Sequence, residues 1–397
     1  MDTLAKWLSE QTRDGKHRSL TPIKRLSPGF LQSTTTEFSA PLLDFSSNDY
    51  LALSQHPEMV MAGHRCLDTY GCGVGGARLM SGDLELFHEL EDRVARFKTR
   101  EAALVFGSGY LGNLGVISSL TGRGDVIFSD RLNHASIHDG CRLSGAGLVR
   151  FRHNDPDHLE DCLKKKRGKG RALIVVESIY SMDGDRCPLP ELVVLKQRYD
   201  TLLMVDEAHA TGIFGSNGGG VIQEDGVSEQ VDVAFGTFGK ALGSYGAYVA
   251  GSPILKDFLI NRARSFIFST GLPPAVIGCS LTALKIVEEN PGMGKKLLEK
   301  AAFFRMCLCQ AGLPGELTGA SQIIPILVGD SDAAVALADE CRRNGVFATA
   351  VRPPTVPVGA ARLRFSISLA HTSENLREAA GVLAESSRKI GVRVRVL

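Results

Sequence analysis

The chain has 397 residues, of which 44% are hydrophobic and 22% are charged. This composition is that of a globular protein, so a largely disordered chain is excluded. Its 45 basic and 44 acidic residues give a net charge of +1, which does not favour a general nucleic-acid binder, since such proteins usually carry an excess of basic residues. No apolar run reaches the roughly 18–20 residues that a membrane-spanning helix needs, so no membrane partner is predicted.

The cysteine and histidine patterns do not indicate a metal site. Nine cysteines and ten histidines are present, but none of the cysteines forms a C-x-x-C pair and no H-E-x-x-H sequence occurs. Residues 1–10 also lack the basic start and the apolar core of a secretory signal. Cysteines without a disulfide framework are typical of a reducing compartment, and we therefore expect a cytoplasmic protein without a metal cofactor.

The first part of the chain contains two predicted helices. Residues 1–9 have the pattern of a short amphipathic helix, inside a mixed, polar N-terminal arm that we assign to residues 1–45. The apolar side chains of residues 83–98 repeat at helical spacing. Ser81 or Asp83 is expected to cap this second helix, because both residue types accept hydrogen bonds from the first backbone N–H groups of a helix.

A large domain is predicted for residues 46–285, where short apolar runs alternate with helical stretches. Most of the runs are apolar throughout, as expected of strands that are covered on both faces. This alternation predicts an α/β fold with a mostly parallel central sheet flanked by helices, and ligands bind such folds at the edge where the strands end. The predicted strands are residues 102–106, 125–128, 148–151, 172–177, 202–206, 232–235 and 247–251.

A smaller C-terminal α+β domain is predicted for residues 286–397, because longer helices alternate there with few strands. Helices are expected over residues 284–311, 333–343 and 372–388. Strands are expected over residues 323–328, 347–351 and 362–368.

Three sequence patterns resemble known motifs but do not fit their structural contexts. Residues 71–76 spell G-x-G-x-x-G, but they follow a predicted helix where the dinucleotide-binding loop follows a strand. Residues 206–209 spell D-E-A-H, yet the chain has no phosphate-binding G-x-x-x-x-G-K-[ST] loop that a helicase needs. Residues 107–109 are only part of a G-x-S-x-G serine hydrolase turn. These three functions are therefore not supported.

The basic segment K-K-K-R-G-K-G-R at residues 164–171 has two possible interpretations. We interpret it as a solvated loop between a helix and a strand, which is what most charge runs are. A contact with the phosphates of coenzyme A or with nucleic acid is the alternative.

The chemistry of the site is carried by an aspartate and a lysine, each placed just after a predicted strand. Asp206 ends the apolar run 202–206, and a buried carboxylate at a strand end is costly unless a cation meets it. Lys240 lies between glycines after the run 232–235, and a lysine in such a setting readily forms an imine with a carbonyl group. A carboxylate for a protonated ring nitrogen and an amine for an aldehyde are what pyridoxal 5'-phosphate requires.

Other strand ends supply further groups that suit this cofactor. His209 follows Asp206 by three residues and is able to donate to the phenolic oxygen of the cofactor. His134 follows another predicted strand and is able to stack on the ring. Residues 107–110 open a helical stretch after a strand, and the backbone N–H groups at such a helix start bind phosphate.

At these residues the chain resembles the α-oxoamine synthase family of fold-type I pyridoxal-phosphate enzymes. The resemblance covers nearly the whole chain and rests on long motifs that occur in order, such as F-S-S-N-D-Y-L-A-L and V-E-S-I-Y-S-M-D-G-D. It implies a fold-type I transferase with a large cofactor-binding domain and a smaller C-terminal domain. The motifs occupy residues 45–53, 71–82, 176–185, 205–212, 237–243, 265–274 and 361–364.

The resemblance implies catalytic roles for residues around the cofactor ring. Lys240 forms the imine and later moves the α-proton of the amino acid. Asp206 pairs with the pyridine nitrogen, and His209 pairs with the phenolic oxygen. His134 stacks on the ring and assists proton transfer, and Ser181 lies near the ring.

The resemblance also implies how the cofactor phosphate is held. Gly109, Tyr110 and Thr237 bind the phosphate from the same chain. Ser269 and Thr270 are similar to phosphate contacts that reach across from a partner subunit, which implies a homodimer with shared active sites.

The substrates follow from the part of the family that the chain resembles most. The segment R-P-P-T-V-P-V-G at residues 352–359 is similar to that of the members that condense L-alanine with a pimeloyl thioester. Arg364 resembles the arginine that binds the amino-acid carboxylate, and Asn48 and Arg352 are placed on the substrate side. The acyl group is expected on coenzyme A or on an acyl carrier protein.

Three places depart from the family pattern, one of which is the segment 71–77, where the usual serines are altered. Phe238 stands where a leucine is usual, and Gly219 stands where an arginine is usual, so the contacts of that arginine are not expected here. Three alternatives remain open on the sequence. They are an α-oxoamine synthase that uses glycine or serine, a class II aminotransferase, and a binding protein with an inactive site.

Overall fold

The protein is described by a computed structural model that covers residues 1–13, 16–34, 40–315 and 319–397. The chain divides into two compact units. Unit 1 consists of Met1–Ala52, Met182–Gly184 and Lys296–Leu397, and unit 2 consists of Leu53–Ser181 and Asp185–Lys295. The domain boundaries that were expected from the sequence, after residues 45 and 285, stay a prediction.

The described residues of the N-terminal part of unit 1 form one helix and three strands. These are α1 (Asp2–Arg13), β1 (Ile23–Ser27), β2 (Phe30–Ser33) and β3 (Leu42–Asp44). β1 and β2 form an antiparallel hairpin, and β3 lies antiparallel beside β2. The helix was predicted from the sequence, but these strands were not, because they are short and β1 is exposed along its whole length, so no apolar run marks it.

Unit 2 is built around a seven-stranded sheet. Its strands are β4 (Ala102–Phe106), β5 (Val126–Asp130), β6 (Gly147–Phe151), β7 (Ala172–Glu177), β8 (Leu202–Asp206), β9 (Val233–Thr237) and β10 (Ala247–Gly251). Their order is β4-β10-β9-β8-β7-β5-β6. β10 is antiparallel to both of its neighbours, and the pairs from β9 to β6 are parallel. The predicted mostly parallel sheet is therefore confirmed, and β5, β7, β8 and β9 all end at one edge of it.

Helices alternate with these strands in unit 2. They are α2 (Pro57–Tyr70), α3 (Glu85–Phe97), α4 (Gly109–Leu120), α5 (Ala135–Ser144), α6 (Pro156–Lys166), α7 (Leu189–Arg198), α8 (Val221–Glu224), α9 (Pro253–Arg262), α10 (Arg264–Ile267) and α11 (Pro274–Glu289). The apolar core between sheet and helices includes Phe106, Val116, Ile127, Leu173 and Phe235, each at most 2% exposed. Burial of such side chains is the main favourable contribution to folding.

The start of α3 differs from the sequence prediction. The helix begins at Glu85, and its N-cap residue Leu84 makes no side-chain capping bond. Asp83 instead accepts hydrogen bonds from Arg78 Nε at 2.6 Å and from His88 Nε2 at 2.8 Å. The expectation that Ser81 or Asp83 caps this helix was wrong, because the carboxylate of Asp83 is engaged with the side chains of Arg78 and His88 instead.

The C-terminal part of unit 1 is an α+β assembly, as the sequence predicts. Its elements are α12 (Met293–Gln310), β11 (Ile323–Gly329), α13 (Ser331–Arg343), β12 (Val346–Phe347), β13 (Thr349–Val351), β14 (Ala361–Ser366), α14 (Ser373–Lys389) and β15 (Arg395–Val396). β12 completes the sheet of β1 to β3, and β13-β14-β11-β15 form a second sheet. The single helix expected over residues 284–311 is divided between α11 and α12, because proline and glycine at positions 291 and 292 interrupt it.

Within the described ranges, no helix is both long and apolar enough to cross a membrane. All nine cysteines are free thiols.

The segment after β7 is anchored by an ion-pair cluster around His153, which follows β6. Its Nδ1 lies 3.0 Å from Asp130 Oδ1 at the end of β5, and its Nε2 lies 2.7 Å from Asp185 Oδ2. Burial alone lowers the pKa of His153, but the hydrogen bonds and charges of the two carboxylates outweigh it and raise the pKa to about 9. The imidazolium therefore joins the ends of β5 and β6 to Asp185.

We expect His153→Gln to destabilise the chain in a pH-dependent way. Because the folded-state pKa lies above the unfolded value of about 6.5, the stabilisation is complete below about pH 6.5 and is lost as the pH rises through about 9. After allowance for solvent screening, the variant should lose about 1–2 kcal/mol of unfolding free energy near pH 6, and clearly less near pH 10. Urea titrations at both pH values measure this.

The exposed His64 on α2 provides the matched control. His64→Gln should leave the free energy of unfolding unchanged at both pH values. An equal loss for His153→Gln at both pH values would contradict a stabilisation by the charged imidazole.

Candidate active site

The predicted lysine and the second predicted histidine are in direct contact. Lys240 lies in the segment between β9 and β10, and its Nζ is 2.7 Å from Nε2 of the buried His209, which follows β8. Gly243 (φ +61°) fits this segment closely against residues 53 and 54, where a Cβ atom would lie 2.4 Å from the Ser54 amide nitrogen. Glycine is required at this position, both for its backbone conformation and for the close approach.

Asp206 ends β8 and is 5% exposed. Its Oδ1 accepts the Ala208 N–H at 2.9 Å, and its Oδ2 accepts from Asn113 Nδ2 at 2.9 Å. These two donors are neutral, so they orient the carboxylate without cancelling its charge. The arrangement suits a cationic ring nitrogen, which gains most from a carboxylate of fixed orientation.

Glu177 belongs to the same site, although the sequence analysis gave it no role. It ends β7, is 3% exposed and is paired in register with Asp206 on β8. Its carboxyl group accepts the backbone N–H of His134 and that of Ser181. Burial, together with the negative charge of Asp206, raises the pKa of Glu177 to about 8, although the Lys240 charge opposes the shift. The signal that identified Asp206, a carboxylate at the end of a buried strand, would also have found Glu177.

His134 forms the N-cap of α5. Its Nδ1 accepts the Ser136 N–H at 3.3 Å, so in the neutral ring the proton is on Nε2. Loss of hydration and the charge of Lys240 lower the pKa of His134, and Asp206 works in the opposite direction. His134 is therefore a neutral imidazole at the same strand edge as Lys240 and Asp206.

The start of α4 provides the predicted phosphate site. Ser108 caps the helix by accepting the Leu111 N–H at 3.2 Å, and a Cβ atom at Gly109 would meet nothing within 4 Å. Open backbone N–H groups and the positive end of the helix dipole favour an anion there. Tyr110 is exposed and donates its hydroxyl to Asp139.

Thr237 and the pair Ser269–Thr270 lie on other segments of unit 2. Thr237 ends β9, where its Oγ1 accepts the Gly239 N–H at 3.1 Å and donates to the Gly246 carbonyl at 2.7 Å. Thr270 forms a β-bridge with Ala77. Ser269 and Thr270 line a small cavity together with Gly107, next to the start of α4.

The predicted substrate residues Arg364 and Asn48 are brought together in unit 1. Arg364 lies on β14 and donates to Asn48 Oδ1 at 3.1 Å and to the Tyr50 hydroxyl at 3.1 Å. The Tyr50 hydroxyl in turn donates to Asn48 Oδ1 at 3.0 Å. Tyr50 was not predicted to have a role, although it lies in the motif at residues 45–53. Arg352 follows β13 and donates to the His17 carbonyl at 3.3 Å.

The basic segment 164–171 lies at the opposite edge of the sheet. It leads into the first residue of β7, whereas Glu177 is the last, and six strand residues span about 17–20 Å. Arg171 pairs with Asp125 at 3.2 Å, and Arg167 donates to the Tyr199 carbonyl at 2.8 Å. Residues 164–166 form the last turn of α6, so the loop interpretation is confirmed for residues 167–171 only. The contacts of Arg167 and Arg171 favour this interpretation over a contact with coenzyme A bound at the other edge.

Comparison with known proteins identifies close relatives over the whole chain. The family model for aminotransferase class I and II matches residues 40–383. The 8-amino-7-oxononanoate synthase of Geobacter sulfurreducens is 45% identical over 392 residues, which cover 98% of this chain and 99% of the relative. That of Citrifermentans bemidjiense is 45% identical over 394 residues, with 99% and 100% covered.

Solved structures show the same fold. SPT with a PLP internal aldimine has a TM-score of 0.91 at 29% identity, with 98% of both chains covered. The 8-amino-7-oxononanoate synthase of Francisella tularensis has a TM-score of 0.75 at 29% identity, with 88% of this chain and 99% of that chain covered. The predicted fold-type I architecture is thereby confirmed. The chain belongs to the aminotransferase class I and II family, in the group of relatives named 8-amino-7-oxononanoate synthase.

Proposed function

We propose that this chain condenses L-alanine with a pimeloyl thioester and releases 8-amino-7-oxononanoate, carbon dioxide and the free thiol, in biotin biosynthesis. Relatives of that name are 45% identical over nearly the whole chain. The structural observation that carries the proposal is the 2.7 Å contact of Lys240 Nζ with His209 Nε2, at the strand edge where Asp206 ends β8. An amine, an imidazole and a carboxylate grouped in this way suit carbonyl chemistry on an amino acid.

The residues fit pyridoxal 5'-phosphate as cofactor. Asp206 is a buried carboxylate held by neutral donors, Lys240 offers an amine, and the start of α4 is open above Gly109. When bound, pyridoxal phosphate supplies an aldehyde that reacts with amines and a ring that accepts electrons from the α-carbon. Within this arrangement, Asp206 would hold the proton of the ring nitrogen and His209 would bond the phenolic oxygen.

The remaining predicted contacts complete the cofactor site. His134 would stack on the ring as a neutral imidazole, and Ser181 would lie near the ring. The phosphate is held by Gly109, Tyr110 and Thr237.

Lys240 moves the proton in the reaction. It removes the proton from the α-carbon of alanine, and that carbon then forms a bond to the thioester carbonyl while the carbon–sulfur bond breaks. The thiolate takes up a proton from solvent as it leaves, and the alanine carboxylate leaves as carbon dioxide. Lys240 finally returns a proton to the same carbon. Arg364 and Asn48 bind the alanine carboxylate, and Arg352 contributes on the acyl side.

We further propose a homodimer in which Ser269 and Thr270 reach the phosphate of the partner subunit. The segments that the Ala77–Thr270 bridge joins expose large apolar side chains, with Met80 82% and Phe268 69% accessible in the single chain. Exposed apolar side chains on neighbouring segments of this kind are typical of an interface.

A cytoplasmic location and two acyl donors are also part of the proposal. The nine free thiols are typical of a reducing compartment. The pimeloyl group is carried either by coenzyme A or by an acyl carrier protein, and the chemistry at the α-carbon is the same for both.

A second candidate is a synthase that condenses serine. It is favoured by the similarity to serine palmitoyltransferase of Sphingomonas wittichii, with a TM-score of 0.91 and 98% of this chain covered. The identity to that structure is 31%, against 45% to the relatives named above. Alanine is therefore the preferred amino acid.

Lys240→Ala should abolish the visible absorbance that borohydride bleaches in the cofactor-loaded protein, because the amine that binds the aldehyde is gone. Turnover of alanine with pimeloyl thioester should fall roughly 1000-fold or more. Lys285→Ala, which changes an exposed lysine on α11, is the control and should leave both unchanged. Normal product formation by Lys240→Ala would rule out the proposed role.

Asp206→Asn should slow the exchange of the alanine α-proton with solvent by about 100-fold or more, because the negative charge that holds the ring nitrogen proton is lost. Proton NMR of alanine in heavy water follows this exchange without the thioester. Asp232→Asn, at the opposite edge of the sheet, is the control. Unchanged exchange in Asp206→Asn would contradict the role of the carboxylate.

Parallel assays with alanine, glycine and serine, each with pimeloyl-coenzyme A and with pimeloyl carrier protein, identify the substrates. We expect thiol release with alanine and a product of the mass of 8-amino-7-oxononanoate. Faster turnover of serine, or formation of an oxo acid without carbon dioxide, would support one of the alternatives.

A further inference from the structure

A series of hydrogen-bonded, buried polar side chains connects Asp206 to His134, and these side chains take no part in the reaction proposed above. Asn113 lies on α4 and Ser136 on α5, and these side chains are 2% and 1% exposed. Asn113 Nδ2 is 2.9 Å from Asp206 Oδ2 and 3.0 Å from Ser136 Oγ. Ser136 Oγ is 2.8 Å from His134 Nδ1.

The direction of these hydrogen bonds follows from what each group is able to donate. The Asp206 oxygen only accepts, so the nitrogen of the Asn113 amide must face it. The same NH2 group has a second hydrogen, which it donates to Ser136 Oγ. His134 Nδ1 already accepts the backbone N–H of Ser136 at 3.3 Å, so it is unprotonated and the Ser136 hydroxyl is the donor to it.

We propose that Asn113 and Ser136 are positioning residues, which form a hydrogen-bond relay from Asp206 to His134 and keep the His134 proton on Nε2. The proposal concerns the site of the proposed function, because it assigns a task to the surroundings of Asp206 and His134. Its consequence is that the carboxylate and the imidazole are set by one connected network. The ring nitrogen of His134 that remains free for a substrate is then a hydrogen-bond donor.

The relay favours the neutral form of His134. A donor that points at Nδ1 stabilises the unprotonated nitrogen, and protonation there would require the hydroxyl to turn away from it. The charged groups that act on His134 are Lys240, which disfavours its protonation, and Asp206 and Asp139, which favour it. Glu177 holds the backbone of His134 in place. The relay therefore acts in the same direction as Lys240 and against the two aspartates.

Nitrogen NMR of the full chain labelled with 15N-histidine tests the relay directly, with and without added pyridoxal phosphate. His134→Gln identifies the signals of His134 among the ten histidines. In the unchanged protein we expect an unprotonated Nδ1 and a protonated Nε2. Since a hydrogen bond is worth about 0.5–1.5 kcal/mol, Ser136→Ala should raise the His134 titration midpoint by about 0.5–1 pH unit.

Asn113→Leu should give a shift in the same direction, because the Ser136 hydroxyl is then able to rotate and accept a proton from Nδ1. Ser136→Thr keeps a hydroxyl and should restore the original midpoint. Ser119→Ala removes a buried hydroxyl of α4 that donates to the Gly115 carbonyl of its own helix, and it should leave the His134 signals unchanged.

The relay is overturned if Nδ1 is protonated in the unchanged protein, or if Ser136→Ala leaves the His134 titration in place. If Asn113→Leu fails to fold, the His134 titrations of Ser136→Ala and Ser136→Thr still test the relay. These signals do not depend on turnover. If the His134 signals are as expected but no product forms, the proposed reaction is refuted and the relay is supported. If product forms but the His134 signals differ from those expected, the relay is refuted and the proposed reaction is supported.

Discussion

The site depends on a buried negative charge at the carboxyl end of β8. Asp206 is 5% exposed, and removing a carboxylate from water is costly unless hydrogen bonds and a nearby cation compensate. Neutral donors from the backbone of Ala208 and from Asn113 orient it, and Lys240 is the cation of the same region. The charge is thereby kept available for a ligand that is itself cationic.

The two carboxyl groups at the ends of the adjacent strands β7 and β8 have different roles. Asp206 and Glu177 are in register on parallel strands, so their mutual repulsion has to be relieved. Glu177 relieves it because its pKa is raised to about 8, and it then serves as a partner for the backbone N–H groups of His134 and Ser181. One carboxyl group thus provides charge, and the other fixes the segments that carry the remaining side chains.

The strand pattern explains why the sequence was informative about the main residues. Asp206, Lys240 and His134 each follow an apolar run, and strands that are covered on both faces produce such runs. Parallel strands then bring their ends to one edge, so residues far apart in the chain become neighbours. The short strands β1 to β3 were not predicted, because exposed or short elements lack a hydrophobic period. The break between α11 and α12 was not predicted, because a single proline–glycine pair interrupts a long apolar pattern only locally.

The sequence alone determined the α/β class, the grouping of Lys240, His209, Asp206 and His134 at strand ends, and the family, because these features are encoded in apolar runs and in local motifs. Only the tertiary structure decided that Asn113 faces Asp206, that Ser136 bonds His134, and that Tyr50 joins Asn48 to Arg364. Asn113 lies within the apolar helix α4, where no local pattern marks it. Its role arises from the packing of α4 beside α5 and the sheet, since hydrogen-bond partners in a core are set by distance in space and not by spacing along the chain.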